Sequence, residues 1–74
     1  MAYELWDMAS HNAIAGFPTE DEALAAVRRE IDGGGAQAVD TWFLGYEDAR
    51  GRSRAIAQGA QLAERARARS TSVA

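Results

Sequence analysis

The 74-residue chain has no cysteine and no lysine, one proline, one histidine and no long apolar run. Without cysteine there can be no disulfide framework, no thiolate zinc site and no cysteine nucleophile. A domain this small buries only about 60% of the surface its unfolded chain exposes, so many such domains lean on a disulfide, a metal or a partner. One histidine, His11, cannot build a metal site by itself. No stretch approaches the roughly 20 apolar residues needed to span a bilayer. Nor does a basic segment lead into an apolar core near Met1. These absences lead to the expectation of a soluble, cytoplasmic protein with no membrane association.

What charge there is lies unevenly. Residues 1–49 hold two arginines, Arg28 and Arg29, against ten acids, a balance of −8. Residues 50–74 hold six arginines against Glu64, a balance of +5, which leaves the chain at −3. Such asymmetry marks either a basic arm for an anionic partner or two halves that attract each other.

The pattern of residues predicts an α+β fold in one small domain over 1–70, with 71–74 as a frayed tail. "AYELWDM" (2–8) and "AIAGF" (13–17) read as a β-hairpin, with Asn12 the residue expected to take a left-handed turn conformation. In "PTEDEALAAVRREIDGGG" (18–35), Thr19 and Glu22 form a capping box. Glu20, Asp21 and Glu22 complement the positive end of the helix dipole. Leu24, Val27 and Ile31 make one apolar stripe, and the glycines at 33–35 end the helix. "VDTWFLGYED" (39–48) and "RSRAIA" (52–57) are expected to form a second hairpin, and "QGAQLAERARARS" (58–70) a C-terminal helix. Gly59 is expected to cost that helix about 1 kcal/mol relative to alanine. No internal repeat is visible.

The order β-β-α-β-β plus a C-terminal helix implies a four-stranded antiparallel sheet with the first helix packed on one face. Leu5, Trp6, Ile14, Phe17, Trp42, Leu44 and Ile56 are the core candidates from the strands. Residues 39–46 are apolar on both sides, and one helix of ~20 Å cannot cover both faces of a sheet. The second face therefore needs the C-terminal helix, a second subunit, or both. Val39, Thr41, Phe43, Leu62 and Ala66 are the residues expected at that interface, and a homodimer or another protein partner is the expected occupant.

Little in the chain points to catalysis, and no catalytic, metal or cofactor residue is assigned. His11 falls at a hairpin tip, where an exposed turn residue is the expected reading. Glu4, Asp7, Glu47 and Asp48 can cluster only if their strand ends meet, and their spacing matches no calcium loop. Gly33–Gly35 follow a helix and lead into a strand, the wrong polarity for a phosphate loop. The aromatic residues could stack on bases if displayed, but acidic neighbours would repel phosphate. Arg52, Arg54, Arg65 and Arg69 are the candidates for an alternative, nucleic-acid-binding reading.

The run "YELWD…NAIAGFPTEDEALAAVR…WFLGYEDARGRSRAIAQGAQLA" resembles a set of short, uncharacterised bacterial proteins. Shared features are an early Leu-Trp-Asp, a strand leading into Thr-x-x-Glu-Ala-Leu, and an acidic strand end before a glycine turn, across most of residues 3–63. That resemblance implies no activity and carries over no site. The segment "TEDEALAAVRREI" is also similar to the helix of HicB-type antitoxins, which implies an antitoxin-like regulator as part of the nucleic-acid alternative. The first expectation is a non-enzymatic protein-interaction module without a cofactor.

Overall fold

The structure, a computed structural model, describes residues 2–71. Its elements are β1 (Ala2–Asp7), β2 (Asn12–Phe17), α1 (Glu20–Gly34), a 3-10 turn (Ala36–Val39), β3 (Trp42–Glu47), β4 (Ser53–Gln58) and α2 (Gly59–Thr71). This is the expected α+β class, with an antiparallel sheet ordered β2-β1-β3-β4. Of the tail assigned to 71–74, only Thr71 falls within the described residues, as the last residue of α2; residues 72–74 lie outside them.

The local signals act as the residues dictate. The Thr19 side chain accepts a hydrogen bond from the Glu22 backbone N–H at 3.2 Å and caps α1. Gly35, at φ 82°, closes the other end, its N–H donating to the Ile31 carbonyl at 2.6 Å. In the first hairpin it is His11, not Asn12, that adopts a positive φ of 59°. Asn12 is already in the ladder opposite Asp7, so the residue before it must make the turn.

Although the sequence shows no repeat, the chain is built from two ββα halves. At the centre of the sheet β1 and β3 run antiparallel with Leu5 opposite Leu44. Each hairpin then carries one extra residue on its outer strand. Ile14 is displaced where Leu5 and Trp6 face Ala15 and Ala13, and Ile56 where Leu44 and Gly45 face Ala57 and Ala55. Each hairpin feeds a helix with the same buried i, i+1, i+4 spacing: Ala23, Leu24 and Val27 in α1, and Leu62, Ala63 and Ala66 in α2. A pseudo-two-fold axis perpendicular to the sheet, passing between Leu5 and Leu44, relates the halves. Sequence comparison misses it because the halves share a pattern of sizes, with few identical residues.

That symmetry puts both helices on the same face. Leu5, Leu44, Val39, Leu24, Val27 and Leu62 are each 0–2% exposed and form one core between sheet and helices. The C-terminal helix, expected as one cover for the second face, packs instead on the same face as α1, which corrects that expectation. Val39 also moves: it ends the 3-10 turn, held by bonds from Ala38 N–H to Gly35 O and Asp40 N–H to Gln37 O, and points into the core. Of the strand core candidates, Leu5 and Leu44 are fully buried, and Phe17, Trp42 and Ile56 pack at the core's edge. Ile14 is 40% exposed, and Trp6 alternates to the opposite side of β1 from Leu5.

Candidate interaction surface

With both helices on one side, the other side of the sheet carries no element of the chain among the described residues. Its centre is a block of four positions on β1 and β3. Trp6 stands opposite Phe43, and Glu4 stands opposite Gly45. Beyond them on the outer strands lie small residues: Ala13 beside Trp6, Gly16 beside Glu4, and Ala55 beside Gly45. Trp6, Phe43 and Glu4 are all half-buried.

Gly45 shapes this surface. A Cβ at that position would come within 2.9 Å of Phe43 Cε1, so the phenyl ring lies down over the glycine instead of standing off the sheet. Next to it is an open cleft of about 310 Å³, lined by Glu4, Trp6, Phe43, Gly45, Ser53 and Ala55 with the backbone around them. Tyr46 and Arg54 border the cleft, but they pair with each other one step along from Gly45 and Ala55. Their side chains therefore alternate to the helix side, where the Arg54 guanidinium sits 5.7 Å from the Tyr46 ring centroid.

The residues expected at an interface divide accordingly. Val39, Leu62 and Ala66 are 0%, 0% and 2% exposed and belong to the chain's own core. Thr41 is exposed, but its hydroxyl donates to Asp7 Oδ1 at 2.7 Å. Phe43 alone is displayed on the open face. Trp6, expected in the core, lies on the open face instead, because the first strand gives no sign of which side the helices take.

The four arginines of the nucleic-acid alternative are spread over the other side and end of the molecule. Arg65 Nε donates to Glu20 Oε2 at 2.6 Å, and Arg69 Nε donates to Asp21 Oδ1. These ion pairs tie the basic C-terminal helix to the acidic first turn of α1, so part of the charge asymmetry is satisfied within one chain. The carboxylate of Asp21 beside Arg69 holds that guanidinium above its ordinary pKa. A second cleft of about 300 Å³ lies here, bounded by Tyr3, Thr19, Glu20, Asp21, Tyr46 and Arg69. The tyrosine rings pack at 4.8 Å between centroids. Acids stand among the arginines, so the charge at this end is largely balanced. Arg52 lies in the turn between β3 and β4, its N–H donating to Asp48 Oδ1 at 3.0 Å.

The other candidate acids serve turns. Asp48 accepts from the N–H groups of both Arg50 and Arg52, and sits at the opposite end of the sheet from Asp7. His11 is exposed in the first turn. Among the described residues no three histidines or acids come together to hold a metal. No described helix is long and apolar enough to cross a membrane.

Asp7 joins the two halves. It accepts from the Thr41 hydroxyl, the Ala9 N–H at 3.0 Å and the Ser10 hydroxyl at 3.1 Å. The Thr41 bond, then the Ala9 bond, holds its carboxyl below the ordinary value of 3.8. A depressed folded-state pKa contributes stability that is present above 3.8 and is lost as pH falls through the lower folded value. Asp7→Asn is therefore expected to lower the urea midpoint at neutral pH and to flatten the acid limb just below 3.8. Urea titrations of both proteins through that range check it. Parallel acid limbs would show that Asp7 does not set this dependence.

No family model, no curated protein and no solved structure matches the chain.

Proposed function

We propose that this chain is a small, non-enzymatic protein-interaction module, cytoplasmic in setting, that binds a protein through the open face of its sheet. The observation that carries this reading is the Trp6–Phe43 pair, displayed at the centre of a sheet face that no helix of the described chain covers. A bare sheet face with central aromatics amid small residues matches the composition of interaction cores, where tryptophan, tyrosine and phenylalanine are enriched. The carboxylates of Asp7 and Asp48 are engaged in turns, which favours binding over acid–base work.

A photo-crosslinking residue at position 43 tests the proposal against the same residue in place of Arg29, which is exposed on α1. Irradiation in cells is expected to give protein adducts from position 43 and few from position 29. Equal yields from both, or none from either, would remove the reading. Adducts made only of this chain would identify the partner as a second copy, and light scattering of the purified protein would then give a dimer mass.

A further inference from the structure

The open face carries one feature that a purely apolar docking surface would lack. Glu4 lies at its centre, with Gly16 as its ladder partner on β2 and Gly45 as its partner on β3. Gly16 leaves the β2 side of the carboxylate open, while on the β3 side the Phe43 ring lies over Gly45 and the cleft opens beside it toward Ser53 and Ala55. Trp6 is the next residue on the same face of β1, and Phe43 is opposite Trp6. Among the described residues the Glu4 carboxylate has no hydrogen-bond or ion-pair partner.

The charges around it agree in sign. The other charged side chain alternating to this face is Glu47, while Arg54 turns to the helix side and meets Tyr46. Two copies packed face to face would bring two Glu4 carboxylates into one dry interface with no cation to meet them. Burying unpaired charges is strongly unfavourable, which disfavours a second copy as the occupant. A phosphate backbone would be repelled for the same reason of sign. A hard cation would find one carboxylate where it needs several oxygen ligands. The cleft, at about 310 Å³, lies at the small end of ligand pockets and suits one inserted side chain.

We infer that this face recognises an arginine or lysine side chain presented by a protein partner. The cationic head meets the Glu4 carboxylate in the open cleft beside it, and its aliphatic stem lies across Trp6 and Phe43. Carboxylate pairing supplies a charge-assisted hydrogen bond, and the two rings add cation–π attraction while excluding water. This inference rests on the proposed use of the open face and goes further by giving the chemistry of what enters it.

The test uses two short peptides, alike except that leucine-flanked arginine in one is citrulline in the other, which keeps the shape and removes the charge. Each is titrated to millimolar concentration into the labelled full chain, reading the Trp6 indole N–H and the Gly16 and Gly45 amides by NMR. The arginine peptide is expected to shift these three signals and to bind on the order of tenfold more tightly than its citrulline twin. Glu4→Gln should erase that difference without changing the melting temperature. Gly45→Ala should weaken both peptides, because its Cβ displaces the Phe43 ring. Equal binding of the two peptides, or a charge preference that survives Glu4→Gln, would overturn the cation while leaving the open face as a binding surface. No shift with either peptide would also overturn it, and the crosslinking result would then stand or fall independently.

Discussion

Leu44→Ala should leave little folded protein, whereas Phe43→Ala, one residue away on the same strand, should fold almost as well as the parent. Leu44 is 0% exposed, faces Leu5 and Ala57 across both ladders, and belongs to the core shared by both helices. Truncating a leucine in such a site costs about 2–5 kcal/mol, and neighbours fixed on two ladders have little freedom to collapse into the gap. A domain of this length is stable by only about 4–11 kcal/mol in total. The variant should therefore lose most of its margin and show a denaturation midpoint far below the parent's.

Phe43 lies on the other side of the same strand, half-buried on Gly45. Its truncation removes contacts with a glycine and one tryptophan and opens no enclosed cavity, so a cost of about 1 kcal/mol is expected. Urea titrations of the two variants, repeated at several protein concentrations, give the comparison. A Phe43→Ala cost as large as that of Leu44→Ala would mean that the open face is covered in the purified protein. If that cost also grew with protein concentration, the cover would be a second copy of the chain.

The contrast bears on how far the sequence could be read. The Thr19 cap on the Glu22 N–H, the stripe of Leu24, Val27 and Ile31, and the succession of elements follow from local rules, and they are present, the Thr19 half of the expected capping box being the one formed. The sequence points to Leu62 and Ala66 as interface residues, whereas they and Ala63 are buried in the chain's own core. What it left open was which face of the sheet that helix would take. That choice depends on the hand and register of β4, which a bulge at Ile56 alters and no residue pattern announces. Residues 39–46 read as apolar on both sides only when Val39 is taken as part of the strand. In fact it closes a 3-10 turn and is buried from there. The open face of β3 keeps Phe43, Gly45 and Glu47, a smaller and more polar surface than the sequence suggested. Trp6 and Glu4 share that face because the helices lie on the opposite side of the sheet.

Gly59→Ala reverses the sign that helix propensity alone would assign. At an ordinary interior helix position the change would stabilise the protein by up to about 1 kcal/mol. Here β4 ends at Gln58 and α2 begins at Gly59 with no loop between them, so one residue must make the whole change of direction. Gly59 does so at φ 56°, in the left-handed region, where a side chain costs roughly 1–2 kcal/mol. An added Cβ would also sit 3.1 Å from the Asp40 carbonyl oxygen, a backbone atom just before β3 that cannot move alone. The two effects act together, so Gly59→Ala is expected to destabilise the chain by about 2 kcal/mol or more. The equivalent junction in the first half has Phe17, Pro18 and Thr19 to spread the turn, and needs no such residue. Thermal and urea unfolding of Gly59→Ala beside Gly33→Ala gives the control, since a Cβ at Gly33 meets nothing within 4 Å. Gly33→Ala should be neutral or mildly stabilising. A Gly59→Ala variant as stable as the Gly33 control would mean that α2 leaves β4 by a different path, and the pairing of Leu62 and Ala66 with the core would have to be redrawn.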